Sequence, residues 1–363
     1  MDVKCPYCNA LHWGNERLTS SSHINPKFGS CCDSGRVQLP LLREPPTPLQ
    51  HLLNSQDEQA KKFHEDIWKY NRAFSFTSLG VLEDHTLNDG QSTPIFQICG
   101  ELYHYSGALT PHGSTTPRYT QVYIYEPFDA LWHHLDLNSD LDRGIMQCLQ
   151  NLLDCFNPYT HIYKSAYNVM AKQHIPQVSV RLQLLPGQDR RTYNQPTTSE
   201  FAIIMPGTEG YDEGRDIVLR LQGQGLHRIS DLHPAYAPLQ YPLLFIYGEL
   251  GWSEQLKLQD KEDLSAVSNS CLSQTRFTAF RIQYCHNEAQ TLLHAGRLFT
   301  RYIVDMWASA DQNRLRFIRH NQSKIRAELY SGLEDAISHN NDGEFSWVAG
   351  WSCHPPILGG PET

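Results

Sequence analysis

Residues 5–32 read CPYCNALHWGNERLTSSSHINPKFGSCC and hold four of the ten cysteines in the chain. Cys5 and Cys8 form a C-x-x-C knuckle, a turn that aims two sulfurs at one point, as tetrahedral zinc requires. Cys31 and Cys32 follow 22 residues after the first pair closes. Side chains of adjacent residues diverge in extended backbone, so two neighbouring ligands need a kinked one. The spacing predicts a zinc site of Cys5, Cys8, Cys31 and Cys32, or of three of these with His23 or His12. The stretch between the pairs is polar and carries few residues able to bury a core. A bound metal replaces that core, because its binding free energy becomes folding free energy. A redox reading of C-x-x-C needs a strand–helix–strand context, which is absent. The expected role of the site is therefore structural.

Outward from this stretch the chain looks globular. It has 363 residues, 40% hydrophobic and 19% charged, a mix that supports a buried core over two or three domains. The formal net charge of −9 argues against a surface coated in phosphate contacts. Any nucleic-acid interface must be a local basic patch. No run of eighteen apolar residues predicts a membrane span, and the start MDVKCPYC has no apolar signal segment. An intracellular protein with reduced cysteines is expected, where clustered thiols read first as metal ligands.

The pattern along the chain predicts an α+β fold. A small zinc-knuckle module (1–35) leads into a Pro-rich extended connector (36–56). An α+β domain (57–262) carries a central mixed, mostly antiparallel sheet with helices. A C-terminal helical segment (263–340) precedes an irregular, disordered tail (341–363). Phe63, Ile67 and Tyr70 repeat at helical spacing. AFSFTSLG (73–80), PIFQICGELYHYSG (94–107) and YTQVYIYEP (119–127) alternate as strands and predict one antiparallel sheet. LDRGIMQCLQNLLDCF (141–156) reads as a helix stopped by Asn157-Pro158, and HIYKSAYNVMAK as another. QVSVRLQLL (177–185), EFAIIMP (200–206) and DIVLRLQ (216–222) are further strands between turn signals. HPAYAPLQYPLLFIYGELGW (233–252) should be irregular and packed on the core. Residues 264–339 lack proline and predict two or three helices, with apolar residues at 315, 318, 325, 329 and 333.

Few residues suggest chemistry beyond the cysteines. Arg314, Arg316, Arg319, Lys324 and Arg326 gather on one predicted helix and could track phosphates, together with Arg190 and Arg191. A solvated amphipathic face is the plainer reading. There is no phosphate-binding G-x-x-x-x-G-K-[ST] loop, no G-x-S-x-G elbow, no His-x-His and no H-E-x-x-H. Cys99, Cys148, Cys155, Cys271 and Cys285 read as core residues, and His133-His134 as a surface pair on a loop. Asp84, Asp89, Asp212 and Glu213 read as turn formers. No nucleophile, base and stabiliser come together, so no enzyme is predicted.

Several segments taken in order resemble Helitron-type rolling-circle transposases over about residues 4–340. They are CPYCNALHWGNER…CC…GRVQLP, FHEDIWKYNRAFSFTSLG, CGELYHYSGALTP, YTQVYIYEP, RTYNQPTTSEFAIIMPG, RDIVLRLQGQGLHRISDLHPAYAPLQYPLLFIYGELGW and AGRLFTRYIVDMWASADQNRLRFIRHNQSKIRAELYSGLEDAI. Proteins of that family continue into a nuclease with a His-hydrophobic-His metal pair and tyrosine nucleophiles, then a helicase with a phosphate loop. This sequence contains neither, and its CHPPILGGPET end departs from the family pattern. The resemblance implies a truncated, non-catalytic region of a nuclear protein that engages DNA, single-stranded and with low specificity. It implies no small-molecule substrate and no membrane partner. Only Cys5, Cys8, Cys31 and Cys32 carry over, as zinc ligands. The rival expectation, favoured by the acidic balance, is a structural or protein-interaction remnant.

Overall fold

A computed structural model of the chain describes residues 1–79, 82–83, 98–99, 104–106, 116–173, 178–182, 202–206, 217–220, 227–259, 271–285 and 288–321. Two units are distinguished, Met1–Gln312 and Asn313–Thr363.

The first unit begins with a minimal hairpin, β1 (Val3–Lys4) against β2 (Leu11–His12), with Val3 opposite His12 and Lys4 opposite Leu11. The Pro-rich connector runs without regular structure only as far as Pro46. Helix α1 (Thr47–Asn54) follows and buries Leu49, Leu52 and Leu53. This corrects the extended reading of the connector's second half. Proline near a helix start is no obstacle, because the first helical amides have no partner to lose.

Helix α2 (Glu58–Phe74) is capped by Asp57, whose side chain accepts from the Ala60 amide at 2.8 Å. Phe63, Ile67 and Tyr70 face inward as their spacing predicts. Helices α3 (Pro127–Leu137), α4 (Arg143–Phe156) and α5 (Pro158–Gln173) complete the first core with α6 (Tyr236–Gln240) and α9 (Gly296–His320). Asp142 caps α4 by accepting from Gly144 and Ile145. Ile145, Met146, Leu149 and Leu153 then share one core with Tyr159 and Tyr163 of α5 and with Leu298 and Tyr302 of α9. Residues 233–252 form turns around the short α6, nearly all buried in this core, as their composition predicts. Helix α7 (Gln274–Arg281) and the short α8 (Thr291–His294) precede α9. In the second unit the described residues are 313–321, the last turns of α9.

All sheet pairings among the described residues are antiparallel. Strands β3 (Ser78–Leu79), β6 (His104–Ser106) and β10 (His227–Ile229) form one sheet in the order β10-β6-β3. Strands β4 (Leu82–Glu83) and β5 (Ile98–Cys99) pair alone. Strands β7 (Val178–Leu182), β8 (Ala202–Pro206) and β9 (Ile217–Arg220) form a third sheet in the order β8-β7-β9. The sheet content is thus small, distributed pieces within a mainly helical description.

Residues 119–127 are not the third strand of the first sheet; β10 takes that place. Tyr119–Ile124 is instead a 3-10 turn. Val122 and Tyr123 are both buried, at 1% and 4% exposure, which a strand cannot achieve with consecutive residues on one face. The Tyr123 hydroxyl donates to the Phe74 carbonyl, and its ring stacks on Phe76 at 4.4 Å. Likewise AFSFTSLG is helical through Phe74 and pairs as a strand only at Ser78–Leu79. The predicted disordered tail, 341–363, lies outside the described residues.

Candidate metal centre

The first cysteine pair sits in the turn between β1 and β2. The Cys5 amide donates to the Ala10 carbonyl at 2.9 Å, and the Asn9 amide returns to the Cys5 carbonyl at 3.0 Å. Asn9 takes φ of 61°, a left-handed position that asparagine tolerates. The backbone amide of Cys8 bonds the Cys5 sulfur, and that of Ala10 bonds the Cys8 sulfur.

The second pair needs a stronger bend. Asp33, Ser34 and Gly35 all have positive φ, at 50°, 57° and 88°. The chain thereby folds back on Cys32: its carbonyl accepts from Gly35 and Val37, and its sulfur lies 3.2 Å from the Gly35 amide. A side chain at Gly35 would meet the Tyr7 ring at 3.1 Å, so glycine lets the second bend press against the first knuckle. Here the kink demanded by adjacent ligands takes physical form.

The outcome is a cluster of four sulfurs, Cys5, Cys8, Cys31 and Cys32, all within 4.8 Å of one another. Cys5 and Cys32 are 3.7 Å apart, and Cys31 and Cys32 are 4.0 Å apart. A disulfide is about 2 Å long, so these are free thiols. Four sulfurs around a tetrahedral zinc at ~2.3 Å stand roughly 3.8 Å apart. The observed separations suit such an ion, and the amides directed at sulfur suit the charge of thiolates. The thiols already share protons unequally. Hydrogen bonds from Cys31 and then Cys32 hold Cys5 and Cys8 well below the usual thiol range. Cys31 is held above it, chiefly by Cys32 and then Cys5. A cation that replaces these protons turns four competing donors and acceptors into four equivalent ligands.

The two histidines weighed as alternatives are engaged elsewhere. His12 is fully buried, stacked on Phe28 at 4.0 Å, with Nδ1 2.7 Å from Glu16 Oε2. His23 is exposed and lies against Arg17 at 3.2 Å. Cys285, by contrast, lies beside the cluster; no spacing in the sequence marks it. Ala10 pairs with Cys285 as an antiparallel bridge. Burial, then Glu288, pushes the Cys285 thiol up to about 12, and its sulfur is not one of the four that cluster.

The remaining candidates scatter. Arg314 and Arg319 are exposed on the last turns of α9, and Arg316 is half-buried with Nη1 donating to Asn313 Oδ1 at 2.9 Å. Leu315, Phe317 and Ile318 between them are exposed rather than core-facing. Lys324, Arg326, Arg190 and Arg191 lie outside the described residues, as do Asp84, Asp89, Asp212, Glu213 and the side chain of Cys99. Cys155 and Cys271 are exposed rather than buried, and Cys148 is half-buried. His133 and His134 are on α3, not a loop. His134 is 1% exposed against Phe74, and burial followed by the neighbouring His133 lowers its pKa to about 3. It is a neutral core histidine. The periodic signal was available: residues 130, 131 and 134 share the inward face of α3. No helix among the described residues is long and apolar enough to cross a membrane.

Residues 277–350 match the family described as the Helitron helicase-like domain at the N-terminus, so the chain carries a Helitron-like region there. No curated protein matches the chain.

Proposed function

We propose that this chain is a non-catalytic, nuclear, DNA-engaging part of a Helitron-type transposase whose N-terminal end is held by one structural zinc ion on Cys5, Cys8, Cys31 and Cys32. The observation that carries the metal half is the convergence of four sulfurs from two separate bends. A closed set of four thiolates leaves no position for a substrate or activated water, which is the character of a structural site. The family match over residues 277–350 carries the ancestry. The DNA half rests on the end of α9, where Arg314, Arg316 and Arg319 alternate with the exposed Phe317. Guanidinium groups track phosphates, and an exposed ring can stack on an unpaired base. The non-catalytic part of the reading rests on the lack of a His-x-His pair or a phosphate loop in the sequence.

The test has two arms. Metal analysis of the purified chain should give about one zinc per molecule; a metal-free, folded chain defeats the site. A fluorescent oligothymidine should bind with steep salt dependence. Replacing Arg314, Arg316 and Arg319 together by Gln should flatten the log–log salt slope by about 0.7 per lost phosphate contact. A slope indifferent to both salt and substitution favours the rival reading, a protein-interaction module, to which the net charge of −9 and the exposed Leu315 and Ile318 lend support.

A further inference from the structure

The sulfur cluster does not stand on the N-terminal residues alone. Cys5, Ala10, Phe28, Cys31, Cys32 and Val37 share a second hydrophobic core with Leu258, Leu272, Phe277, Phe280 and Cys285. Half of that core therefore comes from residues more than two hundred positions away. Polar contacts follow the same seam. Leu11, one residue beyond the Ala10 carbonyl that closes the first knuckle, donates its amide to the Tyr284 carbonyl at 2.8 Å. Asp33, in the bend after the second pair, accepts from Arg276 Nη1 at 2.9 Å. Next, the Gln259 amide donates to the Arg36 carbonyl at 2.8 Å. Further on, the Leu42 amide donates to Glu288 Oε1 at 2.9 Å, and the Ala289 amide returns to the Leu42 carbonyl. A buried ion pair, Arg281 with Glu288 at 3.2 Å, completes the seam, and Arg281 also donates to the Pro40 carbonyl.

Three of these contacts, at Leu11, Asp33 and Arg36, start at or next to the two bends. The bends hold few apolar residues of their own, and three residues of the second sit in the left-handed region. Within residues 1–37, short backbone hydrogen bonds and the His12–Phe28 stack shape each bend by itself, and a ligand at the sulfurs would join one bend to the other. From this we infer that metal binding at the four cysteines acts as an intramolecular clamp: it docks both knuckles on residues 256–259, 271–285 and 288–289 and so fixes α7 and the approach to α9. The docked segment includes the start of the Helitron-like stretch. The inference rests on the zinc reading above.

Two measurements on the full chain test it. Hydrogen exchange is followed on the zinc-loaded chain, on the same chain stripped by a chelator, and on Cys31→Ser. Peptides covering 1–37 and 271–285 should both exchange about tenfold faster or more without metal, while α4 keeps its protection. Faster exchange confined to 1–37 overturns the clamp and leaves the zinc site standing. Loss of protection across α4 as well also overturns it, because the metal would then hold the whole fold. A chain that contains no zinc and ignores the chelator sinks the zinc reading itself. The second measurement uses reciprocity: if the metal favours docking, docking must favour the metal by the same factor. Phe280→Ala, which thins the far side of the core without touching a ligand, should release zinc to a chromophoric chelator about tenfold more readily, and Arg276→Ala to a lesser degree. Zinc retention unchanged in both variants overturns the clamp.

Discussion

The two cores of the first unit are made of different materials. The larger one is aromatic and aliphatic: Phe63, Phe74, Phe76, Tyr159, Tyr163 and Tyr302 share it with leucines from six helices. Its central ring, Phe76, is stacked between Tyr123 and Tyr163. The smaller core contains four buried thiols and three phenyl rings, and its two parts come from opposite ends of the unit. The first is held by area removed from water, which accumulates over many side chains and survives the loss of any one contact. The second depends on one polar point, and without an ion its buried thiols contribute only as small hydrophobes. Two stabilising principles thus coexist in one unit, and they should fail under different conditions.

The sharpest separation is a large-to-small change in the aromatic core. Phe63 is fully buried, and Phe63→Ala should cost about 3–5 kcal/mol in urea unfolding. Zinc content at low denaturant should stay at its wild-type value. A parallel loss of metal would show that the two cores are one cooperative element.

Acid gives the next largest effect. His134 is neutral in the fold, with a pKa near 3 against about 6.5 when unfolded. Between those values the unfolded chain binds a proton that the folded chain refuses, so stability falls as pH falls. The slope is about 1.4 kcal/mol per pH unit, or about 2 kcal/mol from pH 6.5 to 5. His134→Leu should remove that part of the slope while the rest of the acid response, from thiolates releasing metal, remains. Equal slopes in both proteins would take His134 out of the account.

The smallest effect probes the aromatic core at its edge. Asp142→Ala removes the cap of α4 and should cost about 1 kcal/mol, with no change in zinc retention. A change below a few tenths would mean that neighbouring side chains or water already satisfy those amides.

These regions also differ in how much of them the sequence disclosed. Local patterns were readable: the inward row of Phe63, Ile67 and Tyr70, the stop at Asn157-Pro158, and the paired cysteines all depend on neighbours within a few turns of chain. Patterns with two solutions were not. Residues 119–127 alternate like a strand, yet Val122 and Tyr123 are both buried in a 3-10 turn, and the Tyr123 ring stacks on Phe76. Thr47–Asn54 looked like linker because of Pro48 and the Pro45-Pro46 pair before it, although Leu49, Leu52 and Leu53 recur at helical spacing. His134 read as polar and superficial because residue type outweighed position on α3. What no local pattern encodes is that Phe277, Phe280 and Cys285 complete the core beneath the knuckles; that information exists only in long-range complementarity.

Such a distance in sequence has a consequence in time. A ribosome adds about 5–20 residues per second, so roughly ten to fifty seconds separate the synthesis of Cys5 from that of its neighbours near residue 258. Through that interval the nascent knuckles have no apolar cover. An ion captured at once would shield four reactive sulfurs from oxidation and keep two bends ready until the rest of the chain arrives to close over them.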